Sequence, residues 1–128
     1  MSRFVLLLLV AAVAGPAYAQ PIDPALTSGS WRVVEIAGAG AAHAETLQFD
    51  ADKITGKTAC NWFRVSLAQN GQVLEIGKPI VTRMFCKDRM DAERRYLEAL
   101  GAVRSYTLTA GTLALVAADG RTLIKLAR

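Results

Sequence analysis

Few residues in this chain combine a reactive type with a setting in which they could do chemistry. It has two cysteines and one histidine. Cys60 lies in Thr58-Ala59-Cys60-Asn61-Trp62-Phe63, and Cys86 closes Thr82-Arg83-Met84-Phe85-Cys86 ahead of a helical segment. In an oxidising compartment these two thiols are expected to pair with each other. The alternative use is a reactive thiol and its partner. His43 stands among Ala and Gly, with no Cys, His or acidic cluster at ligand spacing, so a solvated loop histidine and no metal are expected. Asp50-x-Asp52 resembles the start of a calcium loop but lacks its glycine and terminal glutamate, and a turn accounts for it.

Glu93 is the more informative acid. Around Asp88 to Val103 the sequence is rich in Ala, Leu, Glu and Arg at helical spacing. At roughly 100° per residue, Met90, Tyr96, Leu97 and Leu100 form the apolar stripe, and Glu93 falls within it. An acid on that face must find donors or take up a proton. The structural role is to accept hydrogen bonds and lock the helix onto a sheet. The functional role is general acid or base, which would need a second catalytic group. Arg83, Lys87, Arg89, Arg94, Arg95 and Arg104 crowd the helix, with Asp88, Asp91 and Glu98 interleaved. Mostly this is a solvated surface with internal pairs. Trp62 with Arg83, Arg94 and Arg95 is the candidate partner surface. No catalytic residue, metal ligand or cofactor is expected.

The elements that position these residues come after a leader. Arg3, the apolar run Phe4 to Val13, the Gly15-Pro16 break and Ala17-Tyr18-Ala19 make residues 1–19 a secretory signal, with cleavage expected near Ala19-Gln20. The run is shorter than the roughly 20 residues of a spanning helix. A periplasmic or secreted, soluble monomer is therefore expected, with no spanning segment in the mature chain. Residues 20–29, with Pro21 and Pro24, read as an extended lead-in, and residues 30–128 as one domain. The formal charge of +4 suits acidic envelope surfaces without requiring them, and the compartment argues against nucleic acid. A bridge from Cys60 to Cys86 would contribute about 3.5 kcal/mol by loop closure in the domain.

From Trp31 the pattern alternates with period two. Trp31 and Val33, with Glu35, share a face; so do Leu47 and Phe49, Ile54 and Gly56, then Phe63, Val65 and Leu67. Asn70-Gly71 and Asp119-Gly120 are hairpin signals. Ala37 to Ala44 is a small-residue loop. Tyr106, Leu108, Leu113, Leu115 and Leu123 to Leu126 continue the alternation beyond the helix. About eight short strands and one helix imply an α+β domain, mainly β: a curled antiparallel meander or partly closed small β-barrel packed by a single α-helix. Trp31, Phe49, Ile54, Phe63, Leu97, Leu100 and Leu115 are the expected core. Gly29-Ser30-Trp31 is similar to the Gly-x-Trp of lipocalins, but the chain is short for that barrel and its helix comes too early.

Taken in order, Leu47-x-Phe49, Ile54-x-Gly56, Ala59-Cys60-Asn61-x-Phe63, Thr82-x-Met84-x-Cys86 and Glu93-x-x-Tyr96-x-x-x-Leu100 resemble the META/HslJ family of bacterial envelope proteins. Tyr106-x-Leu108, Leu113-x-Leu115 and Asp119-Gly120 extend the resemblance to nearly the whole mature chain. It implies a compact antiparallel β domain with one helix, related in shape to the pilotins of secretion systems. It also implies an exported protein linked with heat shock and other stress responses, antibiotic tolerance or virulence, with no assigned enzymatic activity. The chain departs from the family in having Ala59 where Gly is usual, no Gly near Arg64-Val65, and no lipid-anchor cysteine.

The leading expectation is thus a non-enzymatic binding or scaffold domain of the stressed envelope, acting on an envelope protein or an apolar or anionic ligand. The alternative is a small periplasmic carrier holding a lipid or other apolar ligand between sheet and helix. An enzyme or protease inhibitor is a third class. A large apolar cavity would mark the carrier, a filled core with exposed aromatics near Trp62 the binding module, and a cleft joining Glu93 to His43 the enzyme.

Overall fold

The computed structural model of the protein describes residues 20–128, so the expected leader lies outside the described residues. Short alternating segments pair with their sequence neighbours into a continuous antiparallel sheet, and the sheet closes on itself. The first strand, β1 (Trp31–Ile36), turns through the two-residue β2 (Ala39–Gly40) and pairs with β3 (Thr46–Phe49). Next come β4 (Lys53–Lys57), the long β5 (Trp62–Asn70) and β6 (Val73–Ile76). Beyond the helix, β8 (Val103–Thr109), β9 (Thr112–Ala117) and β10 (Thr122–Ala127) form a meander. β8 meets β6 at Val73 and Ser105, and β10 pairs with β1. Eight strands thus close the barrel. Between β6 and the helix, β7 (Ile80–Val81) pairs with the first part of β5.

The barrel strands turn most of their apolar residues inward. β5 alternates without exception: Phe63, Val65, Leu67 and Gln69 are buried and their neighbours exposed. The interior is filled by Trp31, Phe49, Leu47, Ile54, Leu115 and Ile124, all essentially without solvent contact. Gly56 is required by crowding: a Cβ there would lie 2.3 Å from the Thr46 carbonyl oxygen and 2.7 Å from the Phe63 ring. Ala110 and Gly111 both take positive φ in the two-residue turn between β8 and β9, the handedness such hairpins need.

Local expectation and structure differ at four places. Residues 20–29 are not simply extended. Pro24–Thr27 is a helical turn, α1, whose start is set by Asp23, which accepts the Ala25 amide at 2.9 Å, and by Pro at the first helical position. It buries Leu26 completely and offers the Leu26 carbonyl to the Trp31 indole at 2.9 Å. In β1 a bulge between Val33 and Glu35 shifts the register, so Ile36 points inward and Glu35 stands half-buried beside Lys125 at 3.8 Å. The hairpin turn after β5 is Gly71-Gln72, because Asn70 still pairs with Val73. In the helix α2 (Met90–Ala102) the buried residues are Glu93, Tyr96, Ala99 and Leu100. Leu97, expected in the core, is only partly buried, since the helix is rolled toward Ala99.

The two helices serve different ends of the barrel. α1 lies where β5 and β10 finish. Asp23 accepts the Tyr106 hydroxyl at 2.8 Å and its amide donates to Gln69, while Arg128 stacks 4.3 Å from the centre of the Trp31 ring and donates to Ser28 and Ala25. α2 lies where β4 passes into β5. Its Tyr96 hydroxyl donates to the Thr46 carbonyl at 2.8 Å, and its ring meets Phe63 at 5.4 Å.

Candidate functional site

The segment from β4 to β5 is a tight turn, Thr58-Ala59-Cys60-Asn61. Thr58 donates its amide to the Asn61 carbonyl at 2.7 Å. The Thr58 hydroxyl accepts the amides of Cys60 at 3.2 Å and Asn61 at 2.8 Å, a side-chain turn of the kind Thr and Ser favour. Glu93 reaches this turn from α2. Its Oε1 accepts the Thr58 hydroxyl at 2.6 Å and the Asn61 side-chain amide at 2.8 Å. All three side chains are buried. The carboxylate therefore ties the first turn of α2 to the barrel rim, and the positive end of the helix favours a negative charge there.

Asn61 also clamps the chain that follows β7. Its Oδ1 accepts the Met84 amide at 2.7 Å and the Thr82 hydroxyl at 2.9 Å, while Nδ2 donates to the Met84 carbonyl at 3.0 Å. With the Glu93 bond, all four positions of the amide are used. One side chain thus imitates the edge of a strand and holds residues 82–84 in place. The structure joins Cys60 to Cys86 with Cα atoms 5.7 Å apart, within the usual span of a disulfide. Arg89 adds a long contact from its guanidinium to the Ala59 carbonyl at 3.4 Å.

This bracing presents apolar side chains to water. Met84 is 55% and Phe85 81% exposed on the clamped loop, beside Trp62 at 58% and Ile80 at 66% on the outer faces of β5 and β7. Trp62, Ile80 and Thr82 line one shallow groove of about 280 Å³. Ile80, Arg64, Lys78, Lys53 and Asp52 line a neighbouring groove of about 440 Å³. A larger one, of about 620 Å³, runs along the β5–β6 hairpin past Val73, Glu75 and Arg104. Exposed apolar side chains on a braced loop form a patch of the kind that contact surfaces use.

The residues singled out from sequence divide accordingly. Trp62 and Arg83 belong to this ledge. Arg94 and Arg95 lie exposed on α2, where Arg94 is occupied by Asp91 at 2.9 Å. His43 is half-buried in another place, a recess of about 40 Å³ lined by Glu45, Ala92 and Arg95 and not by Glu93. Its amide donates to the Glu45 carboxylate at 2.5 Å. No group of His, Cys, Asp or Glu among the described residues could hold a metal ion. Asp50 and Asp52 sit in the β3–β4 turn, where the Asp50 amide bonds the Lys53 carbonyl at 2.8 Å.

Sequence reasoning missed Thr58 and Asn61 as partners of Glu93, although both flank Cys60 and are turn-forming types. It also missed Glu45, a second buried acid, and the set Asp23, Gln69 and Tyr106. Burial of the Tyr106 phenol, then its donation to the Asp23 carboxylate, raises its pKa above the ordinary value. Burial of Tyr96, then the nearby Glu45 charge, raises that phenol too.

A DUF4847 family protein from Bacteroides vulgatus ATCC 8482 has a similar structure, with a TM-score of 0.64 and 17% identity over 80% of this chain and 93% of that one. A protein from Burkholderia xenovorans, solved by NMR, gives a TM-score of 0.62 and 23% identity over 92% of this chain and 96% of that one. At these identities the likeness is one of fold. No curated protein matches the chain in sequence. The family model described as the META domain matches residues 24–128, starting at the first residue of α1 and taking in the barrel, the clamp and the helix, and the chain therefore belongs to the META domain family.

Proposed function

We propose that the chain is an exported, non-enzymatic binding or scaffold domain of the cell envelope, serving a stress response, and that it docks a partner on the ledge around Trp62 and Phe85. The observation that carries this reading is the pairing of two aromatic side chains, 58% and 81% exposed, with a loop fixed by a disulfide and by Asn61. Ordering a loop before binding removes an entropic cost of association, and aromatic anchors supply contact area with few rotatable bonds. A disulfide in so small a domain also suits an oxidising compartment. The carrier alternative needs apolar space between sheet and helix, where Tyr96, Ala99 and Leu100 instead pack against the core.

The test is photo-crosslinking in cells, with a benzophenone amino acid in place of Phe85 and, as a control, in place of Leu108 on β8. A discrete adduct from the Phe85 position, absent from the control, is expected. Equal labelling at both positions, or none under heat or envelope stress, would refute the reading.

A further inference from the structure

β7 has one paired edge and one open edge. It bonds to β5 on one side and to no strand on the other among the described residues. The ladder fixes which groups face outward. The Thr82 amide donates to the Trp62 carbonyl at 3.0 Å, so Trp62 and Thr82 are a hydrogen-bonded pair. In an antiparallel pair such positions alternate, which makes Phe63 and Val81 a non-bonded pair. The other side of β5 agrees: Thr58 bonds Asn61, so Phe63 spends its backbone groups on Gly56 of β4. The Val81 amide and carbonyl must therefore point away from β5. Two residues on, the exposed Arg83 has an amide with no backbone partner among the described residues.

The outer face beside this edge mixes two kinds of side chain, because Arg64 stands directly opposite Ile80 and next but one to Trp62. Ile80 and Trp62 are exposed and apolar. Arg64, Lys78 and Arg83 are exposed cations, and none of them forms an ion pair among the described residues. In the groove between them the cations Arg64, Lys78 and Lys53 face a single acid, Asp52. An open edge beside apolar side chains is a template for strand addition, and the local positive charge selects the sign of the added strand.

On the reading that this ledge is a docking surface, we propose that its occupant is an extended segment of a partner protein, added as a strand to β7 at Val81, whose outward-facing residues, every second one, combine apolar side chains with Asp or Glu. Main-chain bonds to Val81 would supply affinity. Contacts of the apolar side chains with Trp62 and Ile80, and of the acids with Arg64, Lys78 and Arg83, would supply choice.

A random-peptide display library, panned against the disulfide-bonded protein, tests this with no assumed partner. The expected winners carry both apolar and acidic residues within one set of alternate positions, i, i+2 and i+4. Titrated one by one, they should bind Val81→Pro roughly tenfold more weakly, because proline removes the outward donor. Arg64→Glu and Arg83→Glu should weaken them comparably, and high salt should do the same. Circular dichroism and thermal melting check that Val81→Pro folds. Independently of any variant, the Val81 amide of the wild type should gain protection from hydrogen exchange when a selected peptide binds. Winners that are basic or helical, no enrichment, or an unprotected Val81 amide would overturn the proposal. So would binding to phosphatidylglycerol vesicles that Val81→Pro leaves intact. An in-cell adduct from position 85 that survives Val81→Pro would overturn strand addition alone, whereas loss of every adduct in the wild type would overturn the docking surface with it.

Discussion

Replacing Glu93 tests the link between the helix and the clamp directly. In Glu93→Ala the Thr58 hydroxyl loses its 2.6 Å acceptor, but the Asn61 carbonyl lies 3.1 Å away and can take the proton. That exchange trades a charge-assisted bond for a neutral one, at roughly 1 kcal/mol. Asn61 has no such refuge. One of its amide protons keeps the Met84 carbonyl at 3.0 Å, and the other is left buried without an acceptor. An orphaned buried donor costs about 1–3 kcal/mol. Releasing the ordered Glu side chain and gaining the better helix former return on the order of 1 kcal/mol. Relief of charge burial is small, because both bonds use Oε1 and no described buried side-chain polar atom lacks a partner, which leaves Oε2 in reach of solvent. The net destabilisation expected is about 1–3 kcal/mol, or a fall in Tm of about 4–12 °C at roughly 4 °C per kcal/mol. Glu93→Gln retains an oxygen for both donors and can turn its NH₂ toward solvent, so it should lose less than about 1 kcal/mol. Urea unfolding of both variants and the wild type, with the disulfide intact, is the assay. If Glu93→Ala unfolds like the wild type, the bridge contributes nothing and the reasoning is refuted. If that same variant also loses the partner adduct, Glu93 belongs to a functional site.

Thiol labelling of unreduced, denatured protein should find neither Cys60 nor Cys86 free, and two labelled sites per chain would contradict the bridge. Leu100→Ala, at a fully enclosed position between helix and barrel, should cost about 2–5 kcal/mol in urea unfolding. Gly56→Ala should also destabilise, by about 1–3 kcal/mol, because the Thr46 carbonyl that meets the new Cβ is backbone and cannot rotate away. Tyr106 and Tyr96 both have pKa values raised in the folded protein above the ordinary 10.0. The unfolded chain therefore gives up these protons first, so the contribution of the two tyrosines to stability should be constant below about pH 10 and fall as pH rises beyond it. Tyr106→Phe should make that fall shallower in a pH-dependent melting series.

The sequence by itself determined the strands and the main helix, because their signals are local. Phe63, Val65 and Leu67 alternate along one strand, and no partner need be known to place them on one face. The place of Glu93 on the inner side of α2 rests on helical spacing, and the pairing of the two thiols on there being only two of them behind an export signal. The helical turn at Pro24–Thr27 was read as extended, although Asp23-Pro24, a capping acid before a proline, carried a local signal for it. Only the tertiary structure decided the rest. The bulge in β1 follows from pairing with β10, about ninety residues away in the chain, and it decides that Ile36 and not Glu35 points inward. Barrel closure, the open edge of β7 and the burial of Glu45 depend likewise on which distant segment arrives alongside. Asn61 shows the division most clearly. Its type announced a turn, but its four hydrogen bonds join residues 82, 84 and 93, which the sequence separates by twenty positions and more and only the closed sheet brings together. Local periodicity sets what each segment is, whereas its hydrogen-bond partners are chosen by non-local packing.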